Sequence, residues 1–229
     1  DTLSWSLSGG ASNGTASINS GTGVLRYSPG TNYSGNDTLN VTVSDGSLTD
    51  SLVINLTITA VNDAPVISEA NATLNLALTE DGTIAYDLNA SDSDGDTLSW
   101  TLSSAASNGT ASINSGTGVL SYSPGTNYSG NDSLTVQVSD GSLTDSLVIN
   151  LTITAVNDAP VISEANTTLN LSLSEDGTFA YDLNASDSDG DTLSWSLSGG
   201  ASNGTASINS GTGVLRYSPG TNYSGNDTL

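Results

Sequence analysis

Acidic side chains recur in short clusters along this 229-residue chain, and their spacing suits a hard cation. Asp92, Asp94 and Asp96 alternate with a serine and a glycine, so a compact loop can turn all three carboxylates inward. Carboxylate, amide and backbone oxygens are the ligands that Ca²⁺ prefers in proteins. The same triplet recurs downstream as Asp187, Asp189 and Asp191.

Two other acidic motifs are also repeated. Glu80-Asp81 precedes a glycine and is copied as Glu175-Asp176; Asn62-Asp63 is copied as Asn157-Asp158. Each motif also has a purely structural interpretation. Asp92, Asp94 and Asp96 can cap their own turn, Glu80-Asp81 can be a solvated turn, and Asn62-Asp63 can be an ordinary linker. A helix–loop–helix calcium site is a poor explanation, because no helix is predicted beside Asp92 and the twelfth loop position is Ser103, not Glu.

The composition excludes several functions. The chain has 24 acidic residues, only two basic ones, Arg26 and Arg216, and a net charge of −22. It therefore cannot neutralise the phosphates of nucleic acids, and an anionic membrane surface would repel it. Because it has no His and no Cys, it offers no imidazole base, no thiolate nucleophile and no zinc or haem site of the usual kind.

Disorder is the alternative that the large charge raises, but 35% of the residues are hydrophobic and only 11% are charged. No run is long and apolar enough to span a bilayer, so we expect no membrane insertion. No secretory signal opens the chain, although both ends look cut from a longer sequence.

The chain is built from a repeat with a period of 95 residues, the offset from Val61 to Val156. The hexapeptide VNDAPV begins at both positions, and residues 1–39 are identical to residues 191–229. This period is too long for a solenoid turn and typical of a small autonomous domain. We therefore predict three units: a partial first unit (1–60), a complete second unit (61–155) and a partial third unit (156–229).

Apolar residues in the second unit follow a period of two, which predicts strands with one buried face. Leu74, Leu76 and Leu78 form the first such run. About seven short strands in such a unit are typical of a Greek-key sandwich of immunoglobulin type. The other runs are Ile84, Tyr86, Leu88; Leu98, Trp100, Leu102; Leu120, Tyr122; Leu134, Val136, Val138; and Leu147, Ile149, Leu151, Ile153.

The ordered set of motifs resembles a cadherin repeat. It consists of EDGT at 80–83, ASDSD at 90–94, SDG at 139–141 and VNDAP at 156–160. With its 95-residue period, VNDAPV boundary and DGDTL strand entry, the chain is similar to the bacterial cadherin-like tandem-95 repeats of very large secreted or surface-anchored adhesins. The resemblance implies an all-β fold: tandem immunoglobulin-like (cadherin-like) Greek-key β-sandwiches in an elongated array.

The resemblance also implies Ca²⁺ at the junctions between successive units. Its ligands would be a Glu of the preceding unit, the Asn-Asp linker, and the Asp-x-Asp loop with a late Asp of the next unit. The spacing of this sequence adds Asp96 and Asp191, and Asp81 stands beside Glu80. The implied set at the first junction is Asn62, Asp63, Asp92, Asp94 and Asp140, and at the second junction Glu80, Asn157, Asp158, Asp187 and Asp189.

The sequence departs from cadherins at two places. Ala60 and Ala155 stand where the cadherin linker has an earlier Asp, and the Leu-Asp-Arg-Glu element is replaced by residues 127–132. Asp37 and Asp132 are candidates to substitute for that element. We therefore expect fewer ions at each junction than in cadherins.

The resulting prediction is a Ca²⁺-rigidified extender or stalk of an extracellular surface adhesin, whose partners are neighbouring repeats of the same or identical chains. The alternative is a carbohydrate-binding or cell–cell recognition module, for which Tyr33, Tyr128 and Tyr223 are the candidate sugar platform. An enzyme is not expected, because near-identical tandem copies are more typical of a structural material than of a catalyst.

Two expectations concern the chain ends and the asparagines. The partial units would expose open sheet edges. We therefore expect the chain to be a window on a longer array, with end-to-end completion by neighbouring chains as the alternative. Many asparagines lie in Asn-x-Ser/Thr, which permits glycosylation where the source modifies asparagine; examples are Asn13, Asn40, Asn71 and Asn150.

Overall fold

The computed structural model describes residues 1–69, 72–164 and 168–229, so Asn71 lies outside the described residues. Every regular element in these ranges is a β-strand, which confirms the all-β prediction. The nineteen strands are numbered in chain order. The first unit contains β1 (Ser4–Gly9), β2 (Gly14–Ile18), β3 (Leu25–Pro29), β4 (Gly35–Ser44) and β5 (Thr49–Ile58).

The second unit contains nine strands. They are β6 (Val66–Ile67), β7 (Thr73–Thr79), β8 (Ile84–Asp87), β9 (Ala90–Ser91), β10 (Ser99–Ser104), β11 (Gly109–Ile113), β12 (Val119–Pro124), β13 (Gly130–Ser139) and β14 (Thr144–Thr154). The third unit contains β15 (Val161–Ile162), β16 (Phe179–Asp182), β17 (Ala185–Ser186), β18 (Gly204–Ile208) and β19 (Val214–Pro219).

The second unit is a sandwich of two main sheets. One has the strand order β10-β13-β14-β7 and the other the order β11-β12-β8, while β6 and β9 form a short antiparallel pair. All pairs in these sheets are antiparallel except β7 with β14, which run parallel from Thr73 beside Val148 to Thr79 beside Thr154. This connectivity confirms the predicted immunoglobulin-like topology.

The core of the second unit lies between the two sheets and, apart from Ile67, its buried members are predicted period-two residues. The inward-facing apolar side chains of β13 and β14 are almost fully buried, and the leucines of β7 pack against them from the sheet edge. The buried members are Ile67, Leu88, Trp100, Leu120, Tyr122, Leu134, Val136, Val138, Leu147, Ile149, Leu151 and Ile153. Alternation along each strand therefore separates core from solvent as the pattern indicates.

The outer units contain fewer strands among the described residues. In the first unit β1-β4-β5 form one sheet and β2-β3 the other. In the third unit β16-β19-β18 and β15-β17 are paired. Residues 168–174, which correspond to β7 in sequence, form no strand in the third unit.

The apolar pattern does not predict strand β11 or the pair β6–β9. The sequence of β11 is GTASI, in which only Ala111 and Ile113 pack against the core. Its place at the edge of its sheet leaves little apolar surface to bury, so its period-two signal is weak.

A buried carboxylate joins the two sheets of the second unit. Asp132, only 8% exposed, accepts hydrogen bonds from the backbone N–H groups of Ser107 (3.0 Å), Asn108 (2.9 Å) and Ser133 (2.8 Å) and from the hydroxyl of Tyr122 (3.0 Å). Burial acts to raise the pKa of Asp132, but these four donors outweigh it and hold the pKa below its ordinary value. Asp37 and Asp227 make the same arrangement in the outer units.

Because the pKa of Asp132 is lower in the folded state, its ionised carboxylate stabilises the fold. Its contribution is fully present above about pH 4, the ordinary range of an aspartate, and is lost as the pH falls through the lower folded value. We predict that Asp132→Asn lowers the free energy of unfolding at pH 7 by about 1–3 kcal/mol, because a charged acceptor of four hydrogen bonds is lost. Urea unfolding at pH 7 and pH 3 tests this. The exposed Asp87→Asn is the control, and an equal loss at both pH values would contradict the prediction.

One glycine is required where a loop passes over the core tryptophan. Gly118 has a φ of +75°, and a Cβ there would lie 2.6 Å from the carbonyl oxygen of Leu88 and 2.9 Å from Nε1 of Trp100. Gly116, in the same loop, faces open space apart from a contact at 3.8 Å with the Asn114 side chain. The two glycines therefore differ in steric demand although they are two residues apart.

We predict that Gly118→Ala lowers the free energy of unfolding by about 1–3 kcal/mol, since the added methyl group is strained in φ and meets the indole. Gly116→Ala is the matched control and is expected to change stability by about 0.5 kcal/mol or less. Thermal unfolding followed by tryptophan fluorescence distinguishes the two. Equal effects of both substitutions would contradict the close approach at Gly118.

Candidate metal centre

The second junction begins where β7 and β14 end side by side. Because these strands are parallel and in register to Thr79 and Thr154, Glu80 follows β7 directly beside the start of the linker. The N–H of Glu80 donates to the carbonyl of Thr154 (3.0 Å), and its Oε1 accepts from the N–H of Val156 (2.7 Å). Glu80 is only 7% exposed, so a buried carboxylate stands at the exit of the second unit.

The linker then bonds to the acidic loop of the third unit. The N–H of Asp158 donates to Oδ2 of Asp189 (2.7 Å), while Oδ1 of Asp187 accepts from the N–H groups of Asp189 (3.0 Å) and Asp191 (3.2 Å). One carboxylate oxygen from each of Glu80, Asp158 and Asp189 lies within 4.8 Å of the other two. The second unit, the linker and the third unit thus each contribute one carboxylate to the same point.

Electrostatic repulsion is concentrated on Asp158. Burial, followed by the negative charges of Asp189, Asp81, Glu80 and Asp187, raises the pKa of Asp158 above its ordinary value. The two arginines of the chain lie within β3 and β19 instead of beside this cluster. A divalent cation would compensate the charge that the sequence leaves unbalanced.

The first junction repeats the contact between linker and acidic loop. The N–H of Asp63 donates to Oδ2 of Asp94 (2.7 Å), and Oδ1 of Asp92 accepts from the N–H groups of Asp94 (2.8 Å) and Asp96 (3.3 Å). Oxygens of Asp92, Asp94 and Asp96 lie within 4.8 Å of one another. Oδ2 of Asp92 is buried and has no hydrogen-bond partner among the described residues. A buried, unpaired carboxylate oxygen is a ligand atom that a cation would satisfy.

Asp140, the late aspartate of the second unit, also forms a hydrogen bond with the linker. The side-chain amide of Asn62 donates to Oδ2 of Asp140 (2.8 Å). The N–H groups of Leu143 and Ser142, and then the Asn62 amide, lower the pKa of Asp140. A cleft of about 230 Å³ lies beside this linker. It is lined by Pro29, Asn32, Tyr33, Ser34, Ile58, Thr59, Ala60, Val61, Asp63 and Asp94.

The structure brings most of the predicted ligands together but not all of them. Asn157 turns its amide to the carbonyl of Asp158 (3.1 Å). Asp81 acts on Asp158 through its charge, and Asp191 meets Asp187 through its backbone N–H. Turn capping and cation binding are also compatible, because Asp92 caps its loop with Oδ1 and leaves Oδ2 unpaired.

The suggestion that Asp37 and Asp132 replace the missing cadherin acidic element is wrong. Both carboxylates are buried and already accept four hydrogen bonds, as described for Asp132 above. They fix the loop before β2 or β11 to the sandwich, so their oxygens are not available at a junction.

Two carboxylates that the sequence motifs do not single out, Asp145 and Glu69, have structural partners. Oδ2 of Asp145 accepts from the N–H of Ile67 (2.9 Å), and Oε1 of Glu69 accepts from the N–H of Asn89 (3.2 Å). Oε2 of Glu69, like that of its copy Glu164, is buried without a partner among the described residues. No sequence signal distinguishes Glu69, because most residues of the unit, including the exposed Asp87, are also copied 95 residues later.

The sequence matches the family described as bacterial Ig domain three times, over residues 1–57, 62–152 and 157–229. These matches cover nearly the whole chain, so the protein belongs to the bacterial Ig domain family. No curated protein matches the chain. No helix in the described residues has the length and apolar character needed to cross a membrane.

Solved structures with a similar fold include cadherin ectodomains. Human CDH23 EC21-23 is 15% identical, with a TM-score of 0.56 over 96% of this chain and 80% of that one. Mouse Protocadherin-24 EC1-3 is 16% identical, with a TM-score of 0.53 over 96% and 78% of the two chains. The predicted resemblance to cadherin-like repeats is thereby confirmed at the level of fold.

A third similar structure is the endo-fucoidan hydrolase MfFcnA4 from glycoside hydrolase family 107. It is 21% identical with a TM-score of 0.37, and the match covers 95% of this chain. The chain spans 34% of the length of that enzyme. The likeness is too distant to relate the activity of the hydrolase to this chain.

The geometry predicts that Glu80→Gln weakens Ca²⁺ binding by about tenfold or more, because one of three converging charges is removed. Glu175→Gln is the matched control, since Glu175 occupies the same position in the third unit and no linker follows it within residue 229. Isothermal titration with Ca²⁺ measures both variants. Equal affinities for Glu80→Gln and the unmodified chain would contradict the site.

Proposed function

We propose that this chain is a stretch of the extracellular stalk of a bacterial surface adhesin, with units of 1–60, 61–155 and 156–229 held in line by Ca²⁺ at their junctions. The observation that carries the proposal is the convergence of Glu80, Asp158 and Asp189 within 4.8 Å. A site built from two units and the linker between them can restrict how those units move, which a site inside one unit cannot do.

The residues of the chain prepare the junction before a cation binds. Glu80 holds the linker through Val156, and Asp189 holds it through the N–H of Asp158. These bonds position the backbone, but they leave like charges facing one another around Asp158. Ca²⁺ would supply the positive charge that converts this repulsion into attraction.

A shared site also stabilises the ordered junction by mass action. A ligand that binds only the docked arrangement stabilises it by RT ln(1 + [L]/Kd), or about 2.7 kcal/mol at a hundredfold excess over Kd. Extracellular fluids commonly hold enough Ca²⁺ to fill sites of 10⁻⁴–10⁻³ M affinity, the range of extracellular calcium modules. This supports an extracellular location, where the partners would be neighbouring repeats of the same or identical chains.

The contacts of the three tyrosines argue against the alternative, in which they form a platform for a sugar. The hydroxyl groups of Tyr33, Tyr128 and Tyr223 each donate to a backbone carbonyl three residues later, at 2.7–2.8 Å. Tyr128 also packs against the core of the second unit. Rings held in this way serve the fold of their loop and do not form an exposed platform for a sugar.

We expect removal of Ca²⁺ to loosen the junctions while leaving each sandwich folded. X-ray scattering should give a larger spread of interunit distances in chelator than in Ca²⁺, and limited proteolysis should become faster within residues 155–158. Far-UV circular dichroism, expected to be unchanged, is the control for folding. Superimposable scattering profiles with and without chelator would overturn the proposed role of Ca²⁺.

A further inference from the structure

The charge of the chain is absent from one broad surface of the second unit. The residues that point outward from the sheet β10-β13-β14-β7 include no Asp, Glu or Arg, although the chain carries a net charge of −22. All except Ala77 and Val148 have a hydroxyl or an amide. They are Thr73, Asn75, Ala77, Thr79, Ser99, Thr101, Ser103, Asn131, Ser133, Thr135, Gln137, Ser139, Thr144, Ser146, Val148, Asn150, Thr152 and Thr154.

This uncharged face is not flat, because a groove of about 590 Å³ crosses part of it. Its floor follows the strand register: Ser133 lies opposite Asn150, which lies beside Asn75, and Asn131 lies opposite Thr152. The remaining lining residues are Ser107, Asn108, Leu151 and Asp132. Asp132 is the one charged residue of the lining, and its carboxylate oxygens already accept four hydrogen bonds within the unit.

The loop that carries Ser107 and Asn108 is held rigidly. The N–H groups of both residues donate to Asp132, whose carboxylate is fixed by Tyr122 on the opposite sheet. A loop tied in this way loses little conformational entropy on binding a ligand.

The chemistry of the groove selects one class of ligand. Each asparagine amide both donates and accepts hydrogen bonds, and so does each hydroxyl. The side-chain N–H of Asn150 donates to Oδ1 of Asn75 (3.1 Å). The Oδ1 of Asn150 and the side-chain nitrogen of Asn75 make no hydrogen bond among the described residues. Among the described residues, the side-chain amides of Asn108 and Asn131 have no hydrogen-bond partner in the chain.

Charge excludes the competing occupants. An anionic polymer would find no cation in the groove and a strongly negative protein around it. A second copy of the chain would bring the same net charge of −22, and this face, unlike the junctions, has no cluster of carboxylates among its described residues through which two copies could share a cation. A neutral polymer of hydroxyl groups meets neither obstacle and matches the mixed donors and acceptors.

We propose that this groove binds a neutral polysaccharide through the amides of Asn75, Asn108, Asn131 and Asn150. The site contains no aromatic ring, so each contact is a hydrogen bond exchanged against water and the affinity of one groove is low. Recurrence of the unit raises the effective affinity, because many grooves engage one long polymer. The site is separate from the junctions and needs no Ca²⁺.

The full chain can be tested by native gel electrophoresis through gels that contain a polysaccharide. Dextran and mannan are the neutral probes, and polygalacturonate is the anionic one. We expect retardation by at least one neutral probe, unchanged in chelator, and none by polygalacturonate. No retardation by either neutral probe, equal retardation by polygalacturonate, or loss of retardation in chelator would overturn the proposal.

Substitutions locate the binding surface. The double variant Asn131→Ala with Asn150→Ala should bind the retarding probe about tenfold more weakly, since about two hydrogen bonds are lost. Thr101→Ala with Gln137→Ala is the matched control, because both residues lie on the same face outside the groove. If the alanine pair lowers the thermal midpoint, Asn131→Thr with Asn150→Thr keeps strand propensity while removing both amides. Undiminished binding by a folded groove variant would overturn the site.

Discussion

The parallel pairing of β7 with β14 is the constraint on which the rest of the second unit depends. It places the first long strand and the last strand of the sandwich side by side, ending in register at Thr79 and Thr154. Glu80 and the linker therefore leave the unit at the same point, although they are 76 residues apart in sequence. Without this pairing the buried glutamate would have no linker to hold, and the third unit would meet no carboxylate from the second.

The distribution of charge follows from the same architecture. Strand interiors alternate apolar residues with neutral hydroxyl and amide side chains, so many carboxylates lie in loops and linkers near the ends of the strands. At the second junction, burial and then the charges of neighbouring carboxylates raise the pKa of Asp158. In the sheet β10-β13-β14-β7, Asp132 and Asp145 occupy inward-facing positions. No carboxylate points outward from this sheet, which leaves a neutral outer surface on a strongly acidic protein.

Much of this organisation can be predicted from the sequence, because it repeats. The period of 95 residues marks the units, and period-two runs such as Leu134, Val136 and Val138 identify the buried faces. The edge strand β11 escapes prediction because few of its side chains are apolar. The role of Asp132 escapes too, since a carboxylate that accepts four hydrogen bonds in the core cannot be distinguished in sequence from one at a junction. Similarly, sequence places Asp81 beside Glu80, but only the fold shows that Glu80 is buried and bonded to the linker.

The parallel pair β7–β14 also determines how a unit responds to pulling. Tension along the chain acts on β7 from its amino-terminal end and on β14 from its carboxyl-terminal end, in opposite directions. The hydrogen bonds between the two strands are then loaded in shear, so the register from Thr73 to Thr79 must yield as a block. An antiparallel pair pulled from its open end would instead separate one bond at a time. The sandwich is thus built to resist mechanical extension along its own length.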